Sequence, residues 1–286
     1  MVDTIGNPLS WGAKTLGSAS RSASDVATHL GGTVGAQPNI QVLSWHHVKT
    51  ALRLGWRDVM QFRSDVLALC LVYPVIGIAL VYLAFEQALL PMLFPLAAGF
   101  ALLGPVASIG MYEISRQNEG TGRANWGAAF DALRMRVVGP VMMLGLFLLF
   151  WFMLWMAAAF AIYSVTLGPA MPQSTAAFVS SVFTTSAGWA MIVLGMAVGA
   201  GFAVVVLIVA AISFPMLIDR PVGLPQAVIT SAKVFKTNPV IMLGWGAIVA
   251  ALLALASVPV FLGLVLVLPL LGHATWHLYR FAIDYD

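Results

Sequence analysis

From Val66 onward the chain alternates long apolar runs with short basic stretches, and the apolar runs have the length of a bilayer. A spanning helix needs ~20 apolar residues. Residues 66–85 supply one run between Asp65 and Glu86, and residues 89–112 supply a second that ends at Glu113. Between Arg136 and Asp219 no residue is charged. The turn signal "GPAMPQST" (Gly168–Thr175) divides that stretch into spans over 140–167 and 186–214. The last run, 239–279, is too long for one helix. Pro259, just after Ser257–Val258, divides it into spans over 239–255 and 259–279. The pattern predicts an all-α polytopic membrane protein with six transmembrane helices.

The basic stretches carry a helical period of their own. In Trp45–Phe62 the residues Val48, Leu52, Trp56, Val59 and Met60 fall on one face, with Lys49, Arg53, Arg57 and the following Arg63 on another. Trp126–Val137 groups Trp126, Phe130, Leu133 and Val137; Leu224–Phe235 groups Leu224, Val228, Ser231, Ala232 and Phe235. Segments of this kind lie in the headgroup plane with the apolar side down. The expectation is therefore three cytoplasmic amphipathic interfacial helices, one ahead of each odd-numbered span. Residues 1–40, rich in Ser, Gly and Ala, cannot bury a core and read as a flexible tail, which leaves 41–286 as the transmembrane domain.

An internal repeat accompanies this order. "GPVMMLG" (Gly139–Gly145) matches "NPVIMLG" (Asn238–Gly244), and Arg134 then falls on Lys233. Pro105 precedes Arg116 by the same interval as Pro269 precedes Arg280. The expected unit is a surface helix, a span in, a span out and a basic stop, present three times.

Charge fixes the orientation. All 14 Lys and Arg residues fall on one side of a six-span layout, and juxtamembrane Lys and Arg stay cytoplasmic. Both termini are then cytoplasmic in a bacterial inner membrane. Lys49, Arg53, Arg57, Arg63, Arg116, Arg134, Lys233 and Arg280 are the residues expected against lipid headgroups. The chain is 60% hydrophobic and 9% charged, where a soluble domain carries ~25% charged residues. Its net charge of +3 is accounted for beside apolar spans by anionic lipid, so nucleic acid is not an expected partner. Cys70 is the one cysteine, which excludes an intrachain disulfide and any Cys-based metal motif.

Three stretches together resemble a known family. They are "HHVKTALRLGWRDVMQFRSD" (His46–Asp65), "LLGPVASIGMYEISRQNEG" (Leu102–Gly120) with "DALRM" after it, and "FPMLIDRPV" (Phe214–Val222) ahead of "AVITSAKVFKTNP". They are similar to bacterial integral membrane proteins of unknown function, some of which carry the label of cytochrome c oxidase subunits. The resemblance implies an inner-membrane location and brings no catalytic residues with it.

The chemistry available is sparse. An oxidase core holds haem and copper through roughly six histidines on spanning helices. This chain has 5, of which only His273 and His277 lie in a predicted span, so a catalytic oxidase subunit is excluded and no cofactor is expected. His273 and His277 share a helix face at metal-ligand spacing, yet lack a carboxylate or further histidine unless Glu113, His46 or His47 comes from another element. Interfacial histidines beside Trp276 and Tyr279 are the favoured reading. Asp65, Glu86, Glu113 and Asp219 all stand at span ends, which argues against ion-coupled transport. No Ser/His/Asp arrangement stands out. Gly195 and Gly199 have the spacing of a helix-packing seam, within the bundle or between copies. The expected function is a non-catalytic accessory or assembly subunit of a larger membrane complex, with a respiratory complex favoured. Its partners would be membrane lipids and a membrane protein or a second copy. The alternative is a small-molecule or lipid transporter without a mid-membrane ionisable site.

Overall fold

The structure, a computed structural model, describes residues 38–61, 70–86, 90–93, 95–97, 104, 108–122, 138–169, 172 and 174–285. In chain order these form β1 (Asn39–Ile40), α1 (Trp45–Gln61), α2 (Val72–Glu86), α3 (Ile109–Thr121), α4 (Val138–Thr166) and α5 (Thr175–Thr184). Then come α6 (Ser186–Ala210), α7 (Ser213–Asp219), α8 (Leu224–Thr237), α9 (Pro239–Ser257), α10 (Leu264–Ala282) and β2 (Ile283–Asp284).

Among the described residues, three helical stretches are long and apolar enough to cross a membrane: Val138–Thr166, Ser186–Asp219 and Pro239–Ser257. They coincide with the expected spans over 140–167, 186–214 and 239–255. The expected span over 66–85 is described only from Cys70, and most of the span over 89–112 lies outside the described residues. Helix α10 occupies the sixth position but is less apolar, because His273, Thr275, His277 and Arg280 crowd its second half. The division at Pro259 appears as a turn over Val258–Gly263. Val260 and Phe261 adopt left-handed φ of 52° and 62° there, unusual for bulky side chains. The Phe261 ring is seated on Gly77 of α2, where any Cβ would lie 2.7 Å from it.

The first amphipathic segment does form a helix, but the face it turns inward coincides with the expected one only at Val48, Val59 and, in part, Leu52. Val48, Ala51, Gly55, Asp58 and Val59 are buried on α1, whereas Trp56 and Met60 are exposed. Small size at Ala51 and Gly55 lets that face approach closely, with Val48 and Val59 buried beside them. A Cβ on Gly55 would come within 2.7 Å of the Ala274 backbone nitrogen, so the two helices meet at backbone distance. Helix α1 is thus a packed member of the bundle on its Ala51–Gly55 side. The segment Leu224–Phe235 is also helical, as α8, with Ala227, Thr230, Ser231 and Val234 buried. Trp126–Val137, and with it one copy of the proposed repeat, lies outside the described residues.

Polar side chains close the seams where helices break. Between α6 and α7 the chain turns at Ala211–Ile212, and Ser231 bridges the gap. Its Oγ donates to Ile208 O at 2.6 Å and accepts from Ile212 N at 3.4 Å. The residues read as the end of a flexible tail pair with the C-terminus: Asn39 is opposite Asp284 and Ile40 opposite Ile283, antiparallel. Buried Asn238 holds the following segment, accepting from Leu43 N at 2.7 Å and donating through Nδ2 to Gln41 O at 3.0 Å. The main core lies around α7, α9 and α10, with Phe214, Trp245, Trp276 and Tyr279 essentially without solvent contact.

Candidate functional site

The helical period gathers the polar residues of three helices at one seam. On α3, Ser115 and Glu119 are four apart and share a face; on α10, His273, His277 and Arg280 do the same; on α1, Asp58 continues the Ala51–Gly55 face. Asp58 sits between the other two helices with 1% of its surface exposed. Its Oδ2 accepts from the Ser115 hydroxyl at 2.8 Å and lies 2.9 Å from His277 Nε2. His273 Nδ1 lies 2.7 Å from the same Ser115 oxygen.

Proton positions follow from what each group can give. A carboxylate only accepts, and a serine hydroxyl has one proton. With Ser115 donating to Asp58, His273 must carry its proton on Nδ1 and donate it to Ser115. His277 has a carboxylate against each nitrogen, Asp58 at 2.9 Å and Glu119 Oε1 at 3.5 Å. Only the doubly protonated ring offers a donor to both; this assignment comes from the hydrogen-bond pattern. Burial works to raise the Asp58 carboxyl. The hydrogen bond and charge of His277, the Ser115 hydroxyl and His273 outweigh that, and Asp58 is held below its usual range.

The network runs on to the surface. Arg280 reaches Glu119 at 3.2 Å and Asp219 at 3.5 Å, and the Tyr279 hydroxyl donates to Asp219 at 2.7 Å. Arg220 adds a contact to Asp219 at 3.6 Å and lies over the Tyr285 ring. Glu113, fully buried, is taken by Arg116 at 2.6 Å and Gln117 at 2.9 Å. Opposite charges alternate along this chain of contacts, as buried ions require.

Two expectations change here. The carboxylate missing beside His273 and His277 is supplied by Asp58, and none of the three residues considered for it (Glu113, His46 and His47) provides it. His46 is exposed, and His47 stacks on Phe281 at 5.4 Å. A Ser/His/Asp grouping does exist, made by Ser115, His273 and Asp58. Ser115 and His273 have no exposed surface, however, and the serine proton is directed to the carboxylate, so the group closes a seam and offers no access to a substrate. Among the described residues no group of three His, Cys, Asp or Glu is arranged to hold a metal ion. Asp58 is the residue that the sequence reading missed; the one local signal for it is its place as the lone acid of α1, three residues after the small pair Ala51-x-x-x-Gly55, a spacing that marks a helix contact.

The remaining expected residues are dispersed. Lys49, Arg53 and Arg57 point to the outside of α1, beside exposed Trp45 and Trp56, and Lys233 is exposed on α8. Arg63 and Arg134 lie outside the described residues. Gly199 faces the Trp155 ring of α4, which a Cβ would meet at 2.8 Å. At Gly195 a Cβ meets nothing within 4 Å. That glycine lines a cavity of about 620 Å³ between α4, α5 and α6, which Phe85 of α2 with Pro91, Leu93 and Pro95 also line.

Residues 92–219 match the model of a family described as a predicted integral membrane protein, DUF2189. Over these residues the chain is similar to that family. The DUF2189 stretch contributes Ser115, Glu119 and Asp219 to the polar seam, while Asp58, His273 and His277 come from outside it. Comparison with curated proteins and with solved structures finds no match. The DUF2189 description and the apolar helices agree: this is an integral membrane protein.

Proposed function

We propose that the chain is a non-catalytic accessory or assembly subunit of a larger complex in a bacterial inner membrane, spanning six times with both termini in the cytoplasm. One observation carries this reading. Asp58, Ser115, His273 and His277 are bonded to one another where α1, α3 and α10 meet, with only Asp58 Oδ1 and His273 Nε2 left without a partner, while Met142, Leu146, Phe150 and Met153 of α4 stand bare along one side. A face of large apolar residues on a long helix is covered by lipid or by another membrane helix. In this reading Lys49, Arg53 and Arg57, with Trp45 and Trp56, rest at the cytoplasmic headgroups, and α1 is anchored to lipid on one side and to α10 on the other.

Purification in mild detergent tests the proposal. A stoichiometric membrane-protein partner is expected with the chain; recovery as a solitary monomer at every detergent tried overturns it. A second reading, lipid handling, is favoured by the cavity between α4, α5 and α6, whose lining carries no charged side chain.

A further inference from the structure

The cavity lies at the far end of the bundle from the Asp58 seam. From Gly195 to the end of α6 at Ala210 the chain runs about sixteen residues of helix, about 24 Å. Its floor is Trp155 and Tyr163 of α4, its cover Phe178 and Val182 of α5, and its third wall Met191 and Gly195 of α6. The Trp155 N–H is already donated to Pro95 O at 3.0 Å. The other polar side chains of the lining are Tyr163 and Thr175, and Thr175 is exposed. Among the described residues no charged group lines it, so a charged or strongly polar guest would lose its hydration without compensation. A cavity of this kind excludes water for the same reason.

The mouth is as apolar as the interior. Phe183 and Met196 belong to the lining and are still 58% and 64% exposed, continuous with exposed Val193 and Leu194 on α6. Two of the walls, α4 and α6, belong to stretches able to cross a membrane, so this mouth opens sideways into hydrocarbon, not into water. The volume of about 620 Å³ is in the range of sites that enclose a small ligand. We propose that the cavity takes a single acyl chain of a bilayer phospholipid, entering between Phe183 and Met196, with the polar head left outside near exposed Ser174 and Thr175. This site stands independently of the accessory-subunit reading and needs only that the chain be in a bilayer.

The fold brings its own test. Gly195 has open space where a side chain would begin, so Gly195→Phe places a ring in the cavity without meeting backbone, and Gly195→Ala leaves most of it open. The full chain is reconstituted in phosphatidylcholine vesicles doped with phosphatidylcholine that carries a photoactivatable diazirine in its acyl chain. After irradiation, labelled residues are located by peptide mass spectrometry. Val182 and Tyr163, at 7% and 5% exposure, should be labelled in the unaltered chain as strongly as bare Met142 and Phe150. In Gly195→Phe the label on Val182 and Tyr163 should fall about tenfold, the scale of a 1.4 kcal/mol loss, with Met142 and Phe150 unchanged. Gly195→Ala should label as the parent does. Absence of label from Val182 and Tyr163 in the parent overturns the proposal, and so does label that persists in Gly195→Phe. The parent measurement decides even if the phenylalanine variant fails to insert.

Discussion

The two ends of this bundle are closed by different means. At the Asp58 end, α1 approaches α10 to backbone contact, α3 packs beside them, and the three helices share a string of alternating charges in which each ion depends on its neighbour. At the Gly195 end, α4, α5 and α6 stay apart around a cavity lined by aromatic and aliphatic side chains, with Phe85, Pro91, Leu93 and Pro95 completing its wall. A charged seam is rigid because removing one partner leaves the other buried and unpaired. An apolar cavity is adaptable because its lining has no directional bond to lose. The comparison places structural specification at one end and room for a guest at the other.

The largest effect is expected at the centre of the seam. Asp58→Ala leaves His277 between one carboxylate and a void, and removes the acceptor of Ser115. The expected loss of stability is ~3–5 kcal/mol, the usual result of breaking a buried pair from one side. Thermal unfolding of the purified chain in detergent checks it; an unchanged midpoint would break the contrast between the ends. The sign with pH follows from the lowered Asp58 carboxyl. A depressed folded value means that the contribution is fully present above the unfolded carboxylate pKa of ~3.9 and lost as pH falls through the folded value. The part of the stability difference between the parent and Asp58→Asn that comes from the carboxylate's own titration should therefore shrink as pH falls below about 4.

Gly55→Val tests whether the seam is set by backbone approach as well as by charge. Its Cβ meets the Ala274 backbone, which cannot rotate away, so α1 must lift from α10. Overpacking of this kind costs ~1–3 kcal/mol. Because Asp58 lies on the same face three residues on, lifting α1 should also weaken the Asp58–His277 contact. The two substitutions are then coupled: combined, they should cost less than their separate losses added together.

What the sequence discloses differs between the ends for the same physical reason. The long spans α4, α6 and α9 were legible because lipid selects on length and hydropathy, and both are local properties. The inner face of α1 was not, because its burial depends on a partner more than two hundred residues away. Ranking Val48, Leu52, Trp56 and Met60 by hydrophobicity pointed α1 toward lipid, whereas contact with α10 is made by Ala51 and Gly55. His273 and His277 could be seen to share a face, but Asp58, Ser115 and Glu119 join them only through tertiary packing. The cavity had no signature at all: Gly195 and Gly199 form one small-residue motif in the sequence, and the fold sends them to different surroundings.

That last pair gives the smallest and most selective prediction. In a helix interior alanine is favoured over glycine by ~1 kcal/mol. At Gly195 nothing lies within 4 Å of the added carbon, so Gly195→Ala should keep this gain and raise the unfolding midpoint by about 2–4 °C. At Gly199 the added carbon would lie 2.8 Å from the Trp155 ring, which is held by its bond to Pro95 O. The ring must shift or that bond must lengthen, so Gly199→Ala should gain nothing or lower the midpoint. Opposite signs for two glycines one helical turn apart would place the cavity wall at Gly195 and the packed seam at Gly199. A loss at Gly195 as large as that at Gly199 would mean that another helix occupies the space, and a second copy of the chain, contacted through α6, would then replace lipid as the group that covers it.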